Sequence, residues 1–505
     1  MNHKKTKILI TAEQAYPAYE RAFLEAKNNI LMGFRIFDPN TRLYSKEARA
    51  IGSSWADLFV HTLNRGVDIT LKISDFDPIA AADLHIMTTR SVRDFNAIKP
   101  KLKDTAGQFI VGAHMHPAKI GPLSALALWP AARKKLAKTC QKINEGEWAY
   151  EDVPGVHSYI QKTKDGFAPK RWARATLHPA THHHKCFVVD DEIAFLGGID
   201  VNERRYDDID HRRTADETWH DVQVMIKDKA ISAALRQHLE NFEKDIKADT
   251  ASAEVGLLRT LSAPHRFART LSPKKALSQI KTAHLKNIAA SERLMYLETQ
   301  FFRDKEICDA LVKRSKEVPN LKLVLVLPAA PDDIAFEDKD GIEQKFGEYL
   351  QAQCVQRVKA AYGDNLIIAS PVSPRPAQED DRSTLSDSPI VYVHSKVSVF
   401  DDKAAIVSSA NLNTRSLEWD TEVGCEFKGQ DVNNIKEKVW EAWWSDDLKS
   451  ELQAPSEVVF DTWKEQVWKN GDVPPQERKG FLVPYDVRPA KKMGMFLPFV
   501  PRGMV

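Results

Sequence analysis

Residues 182–200 read HHHKCFVVDDEIAFLGGID, and residues 393–411 read VHSKVSVFDDKAAIVSSAN. With His183 set over His394, the polar positions coincide. A lysine follows two residues on (Lys185, Lys396) and an aspartate seven on (Asp190, Asp401). A pair of small residues begins fourteen on (Gly197–Gly198, Ser408–Ser409), and an Asp or Asn falls seventeen on (Asp200, Asn411). One His-x-Lys-x4-Asp string is a weak signal, because short motifs recur by chance. Two copies that also share their downstream residues are a strong one. The chain is organised as a tandem duplication.

The surroundings of the motifs repeat as well. Before the first copy, residues 13–32 carry helical spacing, NILMGFRIFD (29–38) reads as a buried strand, 45–64 as a helix and VDITLKISDFD (67–77) as a strand. After it come strands IAFLGGID (193–200) and WHDVQVMI (219–226) and a helix over 231–246. The second half gives a helix over 273–292, strand LMYLETQFF (294–302), helix 304–318, strand LKLVLVLP (321–328), helix 341–361 and strand 364–370. The motif, strand TEVGCEF (421–427) and a helix over 434–444 follow. Strands alternating with helices predict an α/β fold. We divide the chain into a first domain (1–255, with a helical insertion at about 85–175), a second (256–450) and a C-terminal extension (451–505).

Three stretches break the pattern. Helix 125–143 has a basic face and an apolar one, and suits either a lipid surface or ordinary inward packing. Pro130 would kink it or mark its start. Residues 371–389, rich in Pro, Ser and Asp, form a loop that is a lid over the site or a surface excursion. The tail KKMGMFLPFVPRGMV either dips into an interface or packs back on the body.

Bulk properties set bounds. The chain has 505 residues, 43% of them hydrophobic, and 72 basic against 70 acidic side chains, for a net charge of +2. That balance gives no argument for nucleic-acid binding. Five scattered cysteines without metal or redox spacing suit reduced thiols in the cytosol. Charges arrive too early for a signal peptide, and no stretch reaches the roughly 20 apolar residues of a membrane span. The expected location is cytoplasmic or peripheral to a membrane, and export without a cleavable signal would leave the same sequence.

One His, one Lys and one Asx per copy, brought face to face, suit a phosphate diester. Lysines and Asx donors hold a tetrahedral anion. One imidazole attacks phosphorus, and the other protonates the leaving alcohol and then activates the incoming one. The chemistry requires no metal or other cofactor. The run His182–His183–His184 invites a metal reading, but alternate strand residues face opposite ways, so His183 and Lys185 share a face that His184 leaves. By the same parity Asp190 and Asp401 point away from the site and read as structural, binding backbone or nearby polar groups. The acids that would orient the histidines lie on the next strand: Asp221 in WHDV and Glu422 in TEVG.

The doubled motif, GGIDVNERRYD with WHDV, YLETQFF, and VYVHSK with SSANLNTRS resemble the phospholipase D superfamily, and among it the phospholipase D enzymes proper. The resemblance implies two similar α/β/α sandwich domains, mixed central sheets flanked by helices, related by a pseudo-twofold axis with one active site at their interface. It implies a metal-independent phosphohistidine mechanism with His183 as nucleophile, His394 as acid/base, and Lys185, Lys396, Asp200 and Asn411 on the phosphate. The expected activity is hydrolysis of a glycerophospholipid to phosphatidate and free head group at a membrane surface, with alcohol transfer possible, by a monomer. A cardiolipin-synthase-like phosphatidyltransferase and a metal-independent nuclease are the alternatives. A non-catalytic scaffold is disfavoured by the intact His and Lys pairs. Ser408–Ser409 departs from the family's Gly-Ser, and Asp200 from its frequent Asn.

Overall fold

The structure, a computed structural model, describes residues 6–173, 175–248, 256–337, 339–449 and 456–505. Residues 255, 450 and 451, where the expected domain boundaries fall, lie outside that set. Among the described residues two large mixed sheets carry the fold. The first has strands β1 (Thr6–Ile10), β2 (Asn29–Phe34), β3 (Asp68–Asp75), β4 (Phe109–Met115), β5 (Cys186–Val189), β6 (Ile193–Gly197) and β7 (Val222–Ile226), in the order β1-β7-β6-β5-β2-β3-β4. The second has β8 (Leu258–Ala263), β9 (Lys274–Ser278), β10 (Leu294–Thr299), β11 (Lys322–Val326), β12 (Leu366–Pro371), β13 (Lys396–Phe400), β14 (Ala404–Ser408), β15 (Glu422–Phe427) and β16 (Leu482–Pro484), in the order β9-β8-β15-β14-β13-β10-β11-β12-β16.

Six consecutive strands of each sheet match one for one. β7-β6-β5-β2-β3-β4 and β15-β14-β13-β10-β11-β12 share order and direction, parallel across β2-β3-β4 and β10-β11-β12, antiparallel elsewhere. The duplication in the sequence is thus a duplication of topology.

Helices α1 (Thr11–Glu25), α2 (Trp55–Asn64) and α3 (Ala82–Asn96) supply Phe23, Trp55, Phe59 and Phe95 to a core on the outer face of the first sheet. Helix α4 (Pro122–Asn144) buries Trp129, Ala132, Leu136 and Cys140 in a satellite core, so its apolar stripe faces inward. Helix α5 (Lys229–Ala248) puts Leu235 and Leu239 under β5 and β6. Helices α6 (Gln279–Ala290), α7 (Lys305–Glu317) and α8 (Ile342–Tyr362) cover the outer face of the second sheet. The inner faces of both sheets, with α9 (Gln430–Glu441) and α10 (Ser456–Asp472), share a single apolar core that runs from Val188 and Leu196 to Val399 and Val407. Burying both inner faces together removes from water apolar surface that either half alone would expose.

Several elements differ from the sequence reading. β1 lies in the N-terminal segment, to which the sequence reading assigned no element. β4 lay inside the stretch read as a helical insertion: it is a partly exposed edge strand whose apolar run, residues 109–111, is only three residues long before Gly112. β8 was hidden because Arg259, Thr260 and Ser262 are all buried. The expected helix 45–64 is two helices, Lys46–Arg49 and α2, and the expected helix 273–292 opens as strand β9. Helix α4 runs through Pro130 without ending there. Residues 371–389 include a short ribbon (Thr384–Leu385 with Ser388–Pro389).

Candidate active site

Two crossed backbone contacts build the site. His182 bridges Thr421 in parallel, with His183 N donating to Thr421 O (2.8 Å) and Thr421 N to Thr181 O (2.9 Å). His220 bridges Val393 in the same way, with His394 N donating to His220 O and His220 N to Tyr392 O (2.8 Å each). Each motif histidine therefore lies beside the residue that precedes an acid of the other half. The side chains complete the exchange: His183 Nδ1 is 2.9 Å from Glu422 Oε1, and His394 Nδ1 is 2.6 Å from Asp221 Oδ2. With Nδ1 engaged, Nε2 is the nitrogen each imidazole offers, and both imidazoles line one cavity of about 590 Å³.

The electrostatics follow from burial. Desolvation pushes the Asp221 carboxyl up to about 7, with Lys396 opposing, and the Glu422 carboxyl up to about 8, with Lys185 opposing. It holds both imidazoles well below their ordinary value, helped by Lys185 at His183 and by Lys396 at His394. A buried acid that resists losing its proton, bonded to a buried base that resists gaining one, forms a pair that shares a single proton. Such a pair can pass a proton at neutral pH.

The lysines lie beneath the histidines. Lys185 Nζ donates to the carbonyl of His183 (2.6 Å), and Lys396 Nζ donates to that of His394. Burial lowers the Lys396 ammonium to about 7, with Asp221 opposing. Asp200 takes the amide of Ile36 on Oδ1 (2.9 Å) and turns Oδ2 toward Lys185 (3.8 Å), so its charge sits beside a cation. Asn411 stands on the cavity wall, its Nδ2 donating to Gln300 Oε1 (3.0 Å) while Oδ1 has no partner among the described residues.

The remaining motif acids lie at the far ends of their strands. Asp190 accepts from the amides of Lys27, Asn28 and Asn29, and Asp401 from those of Glu292, Arg293 and Leu294. Each caps the turn into the strand beside its own, β2 or β10. His182 and His184 are buried off the cavity, with Nδ1 of His182 at Thr421 Oγ1 (2.8 Å) and Nδ1 of His184 at His238 Nε2 (3.2 Å). Both are held neutral by burial.

The wall also carries residues that sequence reasoning did not single out: Trp219, Tyr392 and the guanidiniums Arg35, Arg204, Arg205, Arg303 and Arg415. Arg35 stands one residue past β2 where Gln300 stands one past β10, a correspondence that only the strand register reveals. None of residues 371–389 lines the cavity; Arg375 instead ties that loop to the carbonyls of Arg212 (2.9 Å) and Arg213 (2.5 Å). The tail does reach the site: Met504 packs on Ala118, Ala180 and Trp419, and both Met504 and Val505 line the cavity.

A family model described as "Cardiolipin synthase, PLD-like domain" matches residues 284–444. Phospholipase D1 of Saccharomyces cerevisiae is 22% identical over 383 residues, covering 57% of this chain and 22% of that protein. Phospholipase D2 of Bos taurus is 23% identical over 343 residues, covering 47% of this chain and 36% of that protein. Over these stretches the chain is similar to the phospholipase D superfamily. Members of this superfamily are phosphodiesterases or phosphotransferases. The alignment with phospholipase D alpha 3 of Arabidopsis thaliana, 21% identical, takes in 48% of this chain and 44% of that protein, so less than half of each of these three relatives is matched. Among solved structures, phosphatidylserine synthase of Haemophilus influenzae superposes with a TM-score of 0.48 at 12% identity, covering 91% of this chain and 92% of that one. Among the described residues no helix is long and apolar enough to cross a membrane.

Proposed function

We propose that the chain is a phospholipase D, releasing the head group of a glycerophospholipid as its alcohol and leaving phosphatidate. The observation that supports it is the pair of imidazoles on one cavity, each completed by a carboxylate of the other half. His183 Nε2 attacks phosphorus while the bond from phosphorus to the head-group oxygen breaks, and His394 gives that oxygen its proton. Water then attacks the phosphorus, His394 takes a proton from it, and the bond from phosphorus to His183 breaks. Glu422 fixes His183 with its proton on Nδ1, leaving the Nε2 lone pair free; Asp221 steadies the charge that His394 carries before it gives up its proton and again after it takes one from water. Lys185, Lys396 and Asn411 hold the phosphate oxygens. Asp200 keeps Lys185 in place. His183 is 8% exposed and His394 2%, which favours His183 as the group that substrate reaches. Both motifs lie in one chain, so a monomer suffices, meeting lipid at a membrane surface.

Labelled phosphatidylcholine and phosphatidylethanolamine, with single-stranded DNA as a parallel substrate and chelator present, test this. We expect phosphatidate from the native chain and a loss of about 10⁴-fold or more in His183→Ala and His394→Ala. DNA cleavage without lipid turnover would overturn the reading. Label trapped on His394 rather than His183 would exchange the two roles. The cardiolipin-synthase description of the matched model favours a second reading, transfer of the phosphatidyl group to another alcohol. Phosphatidylglycerol supplied as acceptor distinguishes it: a diphosphatidyl product formed faster than phosphatidate makes the chain a transferase.

A further inference from the structure

Five guanidiniums line the cavity, and they fall into two classes. Arg204 and Arg415 hold matching positions in the two copies, and each is paired, Arg204 with Asp332 (2.8 Å) and Arg415 with Asp420 (3.1 Å). Arg35, Arg205 and Arg303 have no such match: their counterparts in the other half are Gln300, Ser416 and Asp38. None of the three has a side-chain hydrogen bond or an ion pair with a described residue, and Nε of each is buried without a partner. Each lies instead over an aromatic ring, Arg35 at 5.3 Å from the Phe76 centroid, Arg205 at 4.1 Å from Trp219 and Arg303 at 4.0 Å from Phe301. A stacked guanidinium keeps its N–H groups in the plane of the fork, free to meet an anion edge-on.

Most carboxylates of the same wall have other partners, the exception being the exposed Asp83, and Asp333 accepts from Gln344 Nε2 (2.5 Å). Asp77 accepts the amides of Ile79, Ala80 and His178. Glu343 pairs with Lys135, and Glu337 with Lys339. Arg303, 6% exposed, is also given room deliberately: a Cβ at Gly347, inside α8, would stand 2.7 Å from its Nη1. A glycine inside a helix is destabilising relative to alanine, so α8 gives up stability to seat a buried cation that has no ion pair with a described residue, Glu348 and Asp333 acting on it only from beyond contact distance.

The lysines beneath the two histidines already serve the phosphate that is cut. We propose that Arg35, Arg205 and Arg303 form a second anion subsite, so that the preferred substrate carries a further phosphate or carboxylate on its head group. The proposal rests on the phosphodiesterase reading of the cavity. Two or three guanidiniums around one acidic group give charge-assisted, bidentate contacts, and a quaternary ammonium head group would meet them as a like charge.

The test uses short-chain lipids below their micellar concentration, so that no membrane charge enters. Dihexanoyl phosphatidylinositol 4-phosphate and phosphatidylserine are compared with phosphatidylglycerol and phosphatidylcholine. We expect kcat/KM for the two lipids with a second acidic group to exceed that for the others at least tenfold. Arg303→Gln collapses that ratio and Arg303→Lys partly restores it. Equal or better turnover of phosphatidylcholine, or an equal loss on all four lipids in Arg303→Gln, overturns the subsite and leaves the phospholipase reading standing. If no lipid is cleaved, the hydrolase reading fails, and calorimetry with inositol 1,4-bisphosphate and inositol 1-phosphate decides the subsite alone. Tighter binding of the bisphosphate, lost in Arg303→Gln, supports it; equal binding of the two overturns it.

Discussion

The two sides of the cavity descend from one design and have diverged around an unchanged pair. At His394 the acid is Asp221, and Gly198 leaves it room: a Cβ there would stand 2.0 Å from Asp221 Oδ1. At His183 the acid is Glu422, and the equivalent Ser409 donates to its Oε2 (2.5 Å). One side pairs a short acid with a gap, and the other a long acid with a hydroxyl. The flanks differ too. The Trp219 ring lies 4.6 Å from that of His394, whereas the matching Asp420 accepts the amide of Thr181 and pairs with Arg415 near His183. The duplication kept the proton pair and specialised its surroundings, with two buried imidazoles of which His183 is the less covered.

The largest expected effect breaks this comparison directly. In Glu422→Gln, Ser409 keeps its acceptor by turning the amide oxygen toward itself, and the amide N–H faces His183 Nδ1. That forces the proton onto Nε2 and removes the nucleophilic lone pair, for an expected loss of about 10⁴-fold. Asp221→Asn is held the same way by the amide of Val222, which donates to Asp221 Oδ1 (2.8 Å). A proton on Nε2 is what an acid needs, so the loss there is nearer 10²-fold. Single-turnover formation of the phospho-enzyme measures both, and a reversed order would reverse the roles of the histidines.

Stability separates the Asp221→Asn variant from a merely broken fold. The folded carboxyl is raised to about 7 from an ordinary value near 4, so its contribution is full below about pH 4 and is lost as pH climbs through 7. Replacing it with an amide should leave Tm at pH 8 no lower than that of the native chain. A smaller effect on turnover comes from the gap: Gly198→Ala should cost about 10²-fold, whereas Ser409→Ala, which removes a donor and adds no clash, should cost about tenfold. Steady-state kcat on one lipid ranks the two.

Lys396 sets a subtler asymmetry. Burial brings its ammonium down to about 7, so kcat/KM should fall as pH rises above 7 and the phosphate loses a cation. In Lys396→Arg the charge persists, and the alkaline limb should move up by more than one pH unit, at a lower plateau, in profiles taken at constant ionic strength. The smallest effect on turnover belongs to the acids that cap strands. Asp190→Ala and Asp401→Ala each strip an acceptor from three amides and should cost about 2–3 kcal/mol of stability, read by denaturant unfolding, with kcat within about twofold of native.

Much of this was legible in the string of residues because a duplication writes its own register. The His, Lys and Asx spacings and the parity of Asp190 against His183 follow from period-two strand geometry alone. Asp221 and Glu422 were marked as acids with matching places. That each serves the other half's histidine was not readable, because it depends on two parallel bridges, His182 to Thr421 and His220 to Val393, between segments that share no local pattern. β4 escaped because its short apolar run, residues 109–111, sits among helical segments, and β8 because its buried residues include Arg259, Thr260 and Ser262. Arg35 and Arg303 escaped because lone arginines outside a motif look like surface until three-dimensional burial is known, and Arg205, inside GGIDVNERRYD, because nothing in the string separates it from its paired neighbour Arg204.

The crossed pairing also bears on the order of synthesis. A growing chain makes His183 long before Glu422, and the amide of His183 finds its carbonyl acceptor on Thr421. Until the strand that begins at residue 422 has been made and has joined the seam, the first histidine lacks both its carboxylate and its backbone anchor. The reactive group is disarmed while the protein is being made and comes into force only when both repeats have closed on each other.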